Sequence, residues 1–169
     1  MHLEALMPKL YGSDAVEIPG ARSLCAALSA PSPTAAPWAI VTSGTTPLVS
    51  GWMTILSLPQ PGHVVAAEMV EHGKPSPEGY LKGAEKLGLA PEGLLVLEDS
   101  PAGIKAGKAA GCRVLAVTTT HTAEQVVAAG ADWVVKDLQS VKIVRMDGGK
   151  AVLQIENIWK SESITGSML

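Results

Sequence analysis

The sequence predicts a doubly wound α/β fold, an open parallel sheet with helices on both faces. Two observations carry that expectation. Short runs dominated by Val, Ile and Leu, apolar throughout as strands buried on both faces must be, alternate with stretches of helix length that bear an apolar stripe. Glycines stand just past those helical stretches, where a left-handed terminal residue is wanted, and each is soon followed by the next strand signal.

In chain order, a helix over Ala21–Leu28 leads through a Pro/Ser/Ala/Thr loop, Pro31–Pro37, into a first strand at Trp38–Thr42. Further strands follow at His63–Ala67, Leu94–Glu98, Arg113–Thr118 and Asp132–Lys136, and helices at Thr46–Leu56, Pro77–Leu87, Pro101–Ala110 and Thr122–Ala129. Thr46-Pro47, Ser76-Pro77 and Ser100-Pro101 each join a hydroxyl that can accept a free helix amide to a proline that needs no donor, so each marks a helix start. Gly88, Gly111 and Gly130 are the terminal glycines. Lys142–Met146 and Val152–Glu156 flank Asp147-Gly148-Gly149, a turn sequence suited to a hairpin, and residues 161–169 read as a flexible tail.

At 169 residues and 47% hydrophobic, the chain suffices for one domain with a sizeable core. A net charge of −3 with scattered Lys and Arg gives no basic stripe, which argues against nucleic acid partners. Cys25 and Cys112 stand far apart without metal-ligand neighbours, so two buried thiols in a reducing compartment are expected. No signal peptide and no run of roughly 20 apolar residues is present, which points to a cytoplasmic protein without membrane contact.

In an open parallel sheet, ligands sit beyond the carboxyl ends of the strands, and three polar groups fall there. Leu94–Leu97 ends abruptly in Glu98 and Asp99, adjacent acids whose hard oxygens suit Mg²⁺. Taken alone they also fit a solvated Glu98 and an Asp99 that caps a helix. Gly73-Lys74-Pro75 places one ammonium on a stiff loop, able to neutralise phosphoryl oxygens or simply to face solvent. Thr42, Ser43 and Gly44 follow the first strand with hydroxyl and amide donors for an anion, although hydroxyl turns are common. Convergence of all three on one sheet edge is what points to a site. Gly107-Lys108-Ala109 lacks the hydroxyl of a phosphate-binding P-loop, and Gly103, Gly107 and Gly111 are expected to permit close packing on the sheet. His2, His63, His72 and His121 share no helix-face spacing and are not expected to bind a metal.

Trp38–Thr45, Gly73–Tyr80 with Leu81-Lys82-Gly83, and Glu98–Ile104 running on through Gly107–Cys112 resemble the haloacid dehalogenase superfamily of phosphohydrolases. Together with Pro19-Gly20-Ala21 and Leu24-Cys25 they are similar to fungal glycerol phosphatases, over about Val16 to Lys136. The resemblance implies that Thr42, Ser43 and Gly44 bind the phosphoryl group, that Lys74 neutralises it, and that Asp99 with Glu98 holds Mg²⁺. Thr42 and Lys74 would thus serve catalysis. It also implies an Asp-x-Asp pair on a central strand, nucleophile first and general acid-base second. None of the five aspartates, Asp14, Asp99, Asp132, Asp137 and Asp147, forms such a pair.

The expectation is therefore a Rossmann-like core over residues 13–160 that lacks its first central strand, preceded by residues 1–12 as the remnant of a helical cap. Where relatives often have an acid this chain has Met69, beside Glu68. The function implied is hydrolysis of a small polyol or sugar phosphate, in a chain inactive by itself. A non-catalytic phosphate-binding fragment that pairs with another chain, or self-associates through exposed sheet edges, stands as the rival, as does a phosphomutase. A vacant strand position would hold the strands at Trp38–Thr42 and Leu94–Glu98 roughly 9 to 10 Å apart, whereas direct pairing would close it.

Overall fold

A computed structural model describes residues 3–30, 36–147 and 150–159. The loop residues 31–35, the turn glycines Gly148 and Gly149, His2, and the tail from Lys160 lie outside the described residues. The helices are α1 (Met7–Tyr11), α2 (Ala21–Ser29), α3 (Thr46–Ile55), α4 (Glu78–Leu87), α5 (Pro101–Ala109) and α6 (Ala123–Ala128). The strands are β1 (Ala39–Val41), β2 (His63–Val65), β3 (Leu95–Glu98), β4 (Arg113–Val117), β5 (Trp133–Val135), β6 (Val141–Asp147) and β7 (Lys150–Ile155). Every strand and helix expected from the sequence is present, shortened or lengthened at the ends by a residue or two.

The parallel strands form two ladders. β1 pairs with β2, with Ala39 opposite His63 and Val41 opposite Val65. β3, β4 and β5 form the second ladder in that order, with Glu98 opposite Ala116 and Val117 opposite Val135. Among the described residues no ladder joins β1 to β3, so the sheet has not closed between them. All of β1 is only half-buried and Leu97 of β3 is 38% exposed, while β4 is buried from Val114 to Val117.

Helices α4, α5 and α6 cover one face, burying Tyr80, Ile104, Ala106 and Val126 against Val96, Val114 and Val134. The opposite face of β4 and β5 is covered chiefly by the antiparallel hairpin β6–β7, where Val141, Leu153 and Ile155 pack on Leu115, Val117 and Val135. That hairpin takes the place of a helix on the second face. Gly107 of α5 lets the helix settle on the sheet, because a methyl group there would meet Val114 at 3.0 Å and Val96 at 3.4 Å. Gly103 does not serve that purpose. Cys112 is buried as expected, but Cys25 is only half-buried, since α2 sits at the rim of the fold beside β6.

The three hydroxyl-proline starts differ in their caps. The Ser100 hydroxyl accepts the Gly103 amide at 3.1 Å, as the sequence suggests. At α3, however, Thr46 is already helical, and a carboxylate of Glu68 takes its amide at 3.0 Å while Glu4 takes the Thr45 hydroxyl at 2.8 Å. At α4 the Ser76 hydroxyl is a long 3.4 Å from the Glu78 amide.

Candidate active site

The carboxyl ends of β1 and β3 face the same region, and Lys74 bridges them. Its Nζ donates to the Val41 carbonyl at 3.2 Å and forms an ion pair with Glu98 Oε1. The loop that carries Lys74 is clasped from α4. Glu78 accepts the amides of Glu71 and His72, each at 2.9 Å, and Lys82 donates to the Met69 carbonyl at 2.7 Å. The Lys82 hydrogen bond, followed by those two amides, holds the Glu78 carboxyl down at about 2.

Glu98 is the most heavily engaged side chain of the site and only 7% exposed. Oε1 receives Lys74 and the Tyr80 hydroxyl, the latter at 2.6 Å. Oε2 receives the Asp99 amide at 3.0 Å, the Ser100 amide at 3.2 Å and the Ser100 hydroxyl at 3.1 Å. Burial pushes this carboxyl up, but the bonds from Lys74 and Tyr80, the ammonium charge and the Ser100 amide outweigh burial and hold it below its ordinary range. Space for the carboxylate exists because residue 103 is glycine, and a methyl group there would overlap it.

Asp99 is differently placed. Its Oδ2 accepts the Thr120 hydroxyl at 2.8 Å, and among the described residues no Lys or Arg pairs with it. Thr42, Ser43, Lys74 and Ser76 line one cavity of about 180 Å³, together with Tyr80 and Glu71–Gly73. Thr42 Oγ1 accepts the Gly44 amide at 3.0 Å, which leaves its own proton free for a ligand. Among the described residues the Ser43 amide has no internal acceptor.

All the residues expected from the sequence, Thr42, Ser43, Gly44, Lys74, Glu98 and Asp99, are thus found at the carboxyl ends of β1 and β3 or on the Lys74 loop between them. Sequence reasoning missed four others: Tyr80, Gly103, Thr120 and His121, whose Nδ1 lies 3.1 Å from the Asp99 carbonyl. Thr120 was findable, since Thr118–Thr120 follows β4 as polar residues follow the other strands. The glycine of α5 and the tyrosine of α4 gave only helix-packing signals.

The sequence profile of the haloacid dehalogenase-like hydrolases matches residues 9–111, more than half of the chain. The chain belongs to that family. Glycerol-1-phosphate phosphohydrolase 1 of Saccharomyces cerevisiae is 39% identical over 148 residues, covering 83% of this chain and 58% of the yeast protein. Hexitol phosphatase A of Escherichia coli is 42% identical over 118 residues, covering 70% of this chain and 54% of that enzyme. A putative β-phosphoglucomutase from Thermotoga maritima superposes with a TM-score of 0.66 at 31% identity, over 76% of this chain and 60% of that one. This haloacid dehalogenase-like chain therefore spans a little over half the length of the relatives it matches.

Two carboxylates and no third fit the family's metal. Among the described residues no three His, Cys, Asp or Glu side chains gather to form a cage. Mg²⁺ needs no such cage, because it is commonly held by one or two carboxylates plus waters and phosphate oxygens. Asp99, free of cations, meets that requirement more readily than Glu98, whose oxygens are already taken.

Proposed function

We propose that the chain is the phosphate- and metal-binding part of a phosphomonoesterase acting on a small polyol or sugar phosphate. The observation that carries the reading is the gathering of Thr42, Ser43 and Lys74 around one cavity, with Glu98 paired to the Lys74 ammonium and Asp99 next to it in sequence. The curated relatives supply the substrate class, since glycerol phosphate and hexitol phosphatases are among them.

In this reading Thr42 donates its hydroxyl proton to a phosphoryl oxygen, the Ser43 amide donates to another, and the Gly44 amide fixes the Thr42 hydroxyl. Lys74 meets the charge that grows on the phosphoryl group during transfer. Asp99, with Glu98 behind it, would hold Mg²⁺, which when bound supplies a second neutralising charge on those oxygens. The nucleophile is an aspartate of an Asp-x-Asp strand, absent from these 169 residues, seated between β1 and β3 to form an aspartyl phosphate. Residues 1–12 would be the last turns of a cap, and within them Pro8 packs on Gly51 of α3. The edges of β1 and β3, unpaired among the described residues, equally favour the rival reading, in which another chain supplies the strand and this one is a binding fragment.

The test joins an Asp-x-Asp strand segment to the N-terminus and measures phosphate release from polyol and sugar phosphates with Mg²⁺. Activity that vanishes with Lys74→Met and Asp99→Asn is expected. A folded, strand-completed protein with no phosphatase activity would overturn the reading. A stable oligomer of the unmodified chain in size-exclusion chromatography would instead favour the rival.

A further inference from the structure

Tyr80 lies in the interior of α4, 8% exposed, yet its polar end reaches the site. Its hydroxyl donates to Glu98 Oε1 at 2.6 Å, the oxygen that also holds Lys74, and its ring centroid lies 5.2 Å from Lys74 Nζ. One side chain thus touches both members of the ion pair. The ring face attracts the ammonium directly, and the hydroxyl holds the carboxylate that the ammonium follows. On its other oxygen Glu98 is tied to the start of α5 by Ser100 and two amides, so Tyr80 connects the pair to α4 while Ser100 connects it to α5.

The geometry points to Tyr80 as a positioning residue for Lys74. Without the hydroxyl, Oε1 would be held by the ammonium alone, and the long lysine side chain would regain rotamers that carry Nζ away from the junction of β1 and β3. Burial and the neighbouring Glu98 charge push the Tyr80 hydroxyl well above its ordinary range. The consequence for the site is an ammonium aimed at the cavity before a ligand arrives. This deepens the proposed role of Lys74 as the cation that meets a phosphoryl group, and it rests on that role for its functional meaning, although not for its test.

The test is competitive acylation of lysines in the full chain with an N-hydroxysuccinimide ester, resolved residue by residue by mass spectrometry. Lys86 and Lys105, both exposed and outside every ion pair among the described residues, serve as internal references. In the wild type Lys74 should react about tenfold more slowly than either. Tyr80→Phe, which keeps the ring and removes only the hydroxyl, should speed Lys74 by about tenfold, the factor that losing one hydrogen bond to a charged group represents. Lys86 and Lys105 should not change. Equal acceleration of all three would mean general loosening and would overturn the proposal, as would an unchanged Lys74.

Should Tyr80→Phe fail to fold, the wild type still decides. An upfield ring-current shift of the Lys74 ε-methylene protons with slow acylation supports the positioning, and random-coil shifts with fast acylation refute it. Adding inorganic phosphate and Mg²⁺ separates the two claims. If these leave Lys74 acylation unaffected while Tyr80→Phe accelerates it, the anion-binding role fails and the positioning stands.

Discussion

Replacing Gly103 by alanine should destabilise the chain, and should do so only while Glu98 is present. A methyl group at residue 103 would occupy the volume of the Glu98 carboxylate, whose atoms are its three nearest neighbours. The backbone there is ordinary helix, so glycine is not required for conformation. To admit the methyl group, Glu98 must withdraw from the Tyr80 hydroxyl at 2.6 Å, the Ser100 hydroxyl at 3.1 Å and the two amides at 3.0 and 3.2 Å, and must loosen from Lys74. Hydrogen bonds to a charged group contribute about 1.5 to 3 kcal/mol each, and breaking a buried pair costs about 3 to 5 kcal/mol. Alanine returns up to about 1 kcal/mol of helix propensity. With partial relaxation the net loss should be about 2 to 4 kcal/mol. In a Glu98→Ala background the obstacle is gone, and Gly103→Ala should be neutral or stabilising by up to about 1 kcal/mol. Urea denaturation of the wild type, both single variants and the double variant gives the cycle. Equal destabilisation by Gly103→Ala in both backgrounds would refute the carboxylate as the reason for the glycine.

Two further outcomes follow from the surroundings of the site. The folded Glu78 carboxyl lies at about 2, below its unfolded range, so its clasp on the Lys74 loop is fully present above about pH 4.5 and is lost as pH falls through about 2. The amide signals of Glu71 and His72 should report that midpoint in an NMR titration, and a midpoint near 4.5 would count against the clasp. Asp132 accepts the Val114 amide at 2.6 Å and pairs with Lys108, so Asp132→Ala should lower stability by about 1 to 3 kcal/mol through the orphaned amide. Lys108→Met, which spares the amide bond, should cost clearly less in the same denaturation assay.

The fold was legible because each level of the sequence agreed with the next. Apolar runs, proline starts and terminal glycines with positive φ at Gly88, Gly111 and Gly130 all placed the same boundaries. The site was legible to the extent that polar residues stood at strand ends. Thr42, Lys74, Glu98 and Asp99 could be named, but not how Glu98 is used. Whether a carboxylate turns toward a metal or toward an ammonium depends on Tyr80 of α4, 18 residues before Glu98, and on Gly103 and the Ser100 turn that follow it, contacts that no local pattern displays. Gly103 illustrates the limit. Its spacing with Gly107 suggests one packing face, yet Gly107 meets Val114 and Val96 of the sheet while Gly103 meets a carboxylate. The caps of α3 were illegible for a similar reason, since Glu4 and Glu68 reach its first turn from elsewhere in the chain.

Charge balance predicts that the proposed site takes a cation beyond Lys74. The ammonium is already matched by Glu98, and Asp99 adds a negative charge without an ionic partner among the described residues. The first turn of α3, which would otherwise attract an anion, is faced by Glu4 and Glu68. A phosphate dianion entering the cavity at Thr42 and Ser43 therefore meets two free donors and a local charge that is negative. Repulsion between unit charges a few ångströms apart near a protein surface amounts to about 4 kcal/mol, enough to offset two ordinary hydrogen bonds. A divalent ion on Asp99 reverses that sign. Isothermal titration of the chain with inorganic phosphate should accordingly show affinity at least tenfold weaker in EDTA than in Mg²⁺, and Asp99→Asn, which removes the charge itself, should abolish the difference. Phosphate binding of equal strength with and without Mg²⁺ would show that Lys74 and the hydroxyl turn suffice, and that Glu98 does not neutralise the ammonium as its position indicates.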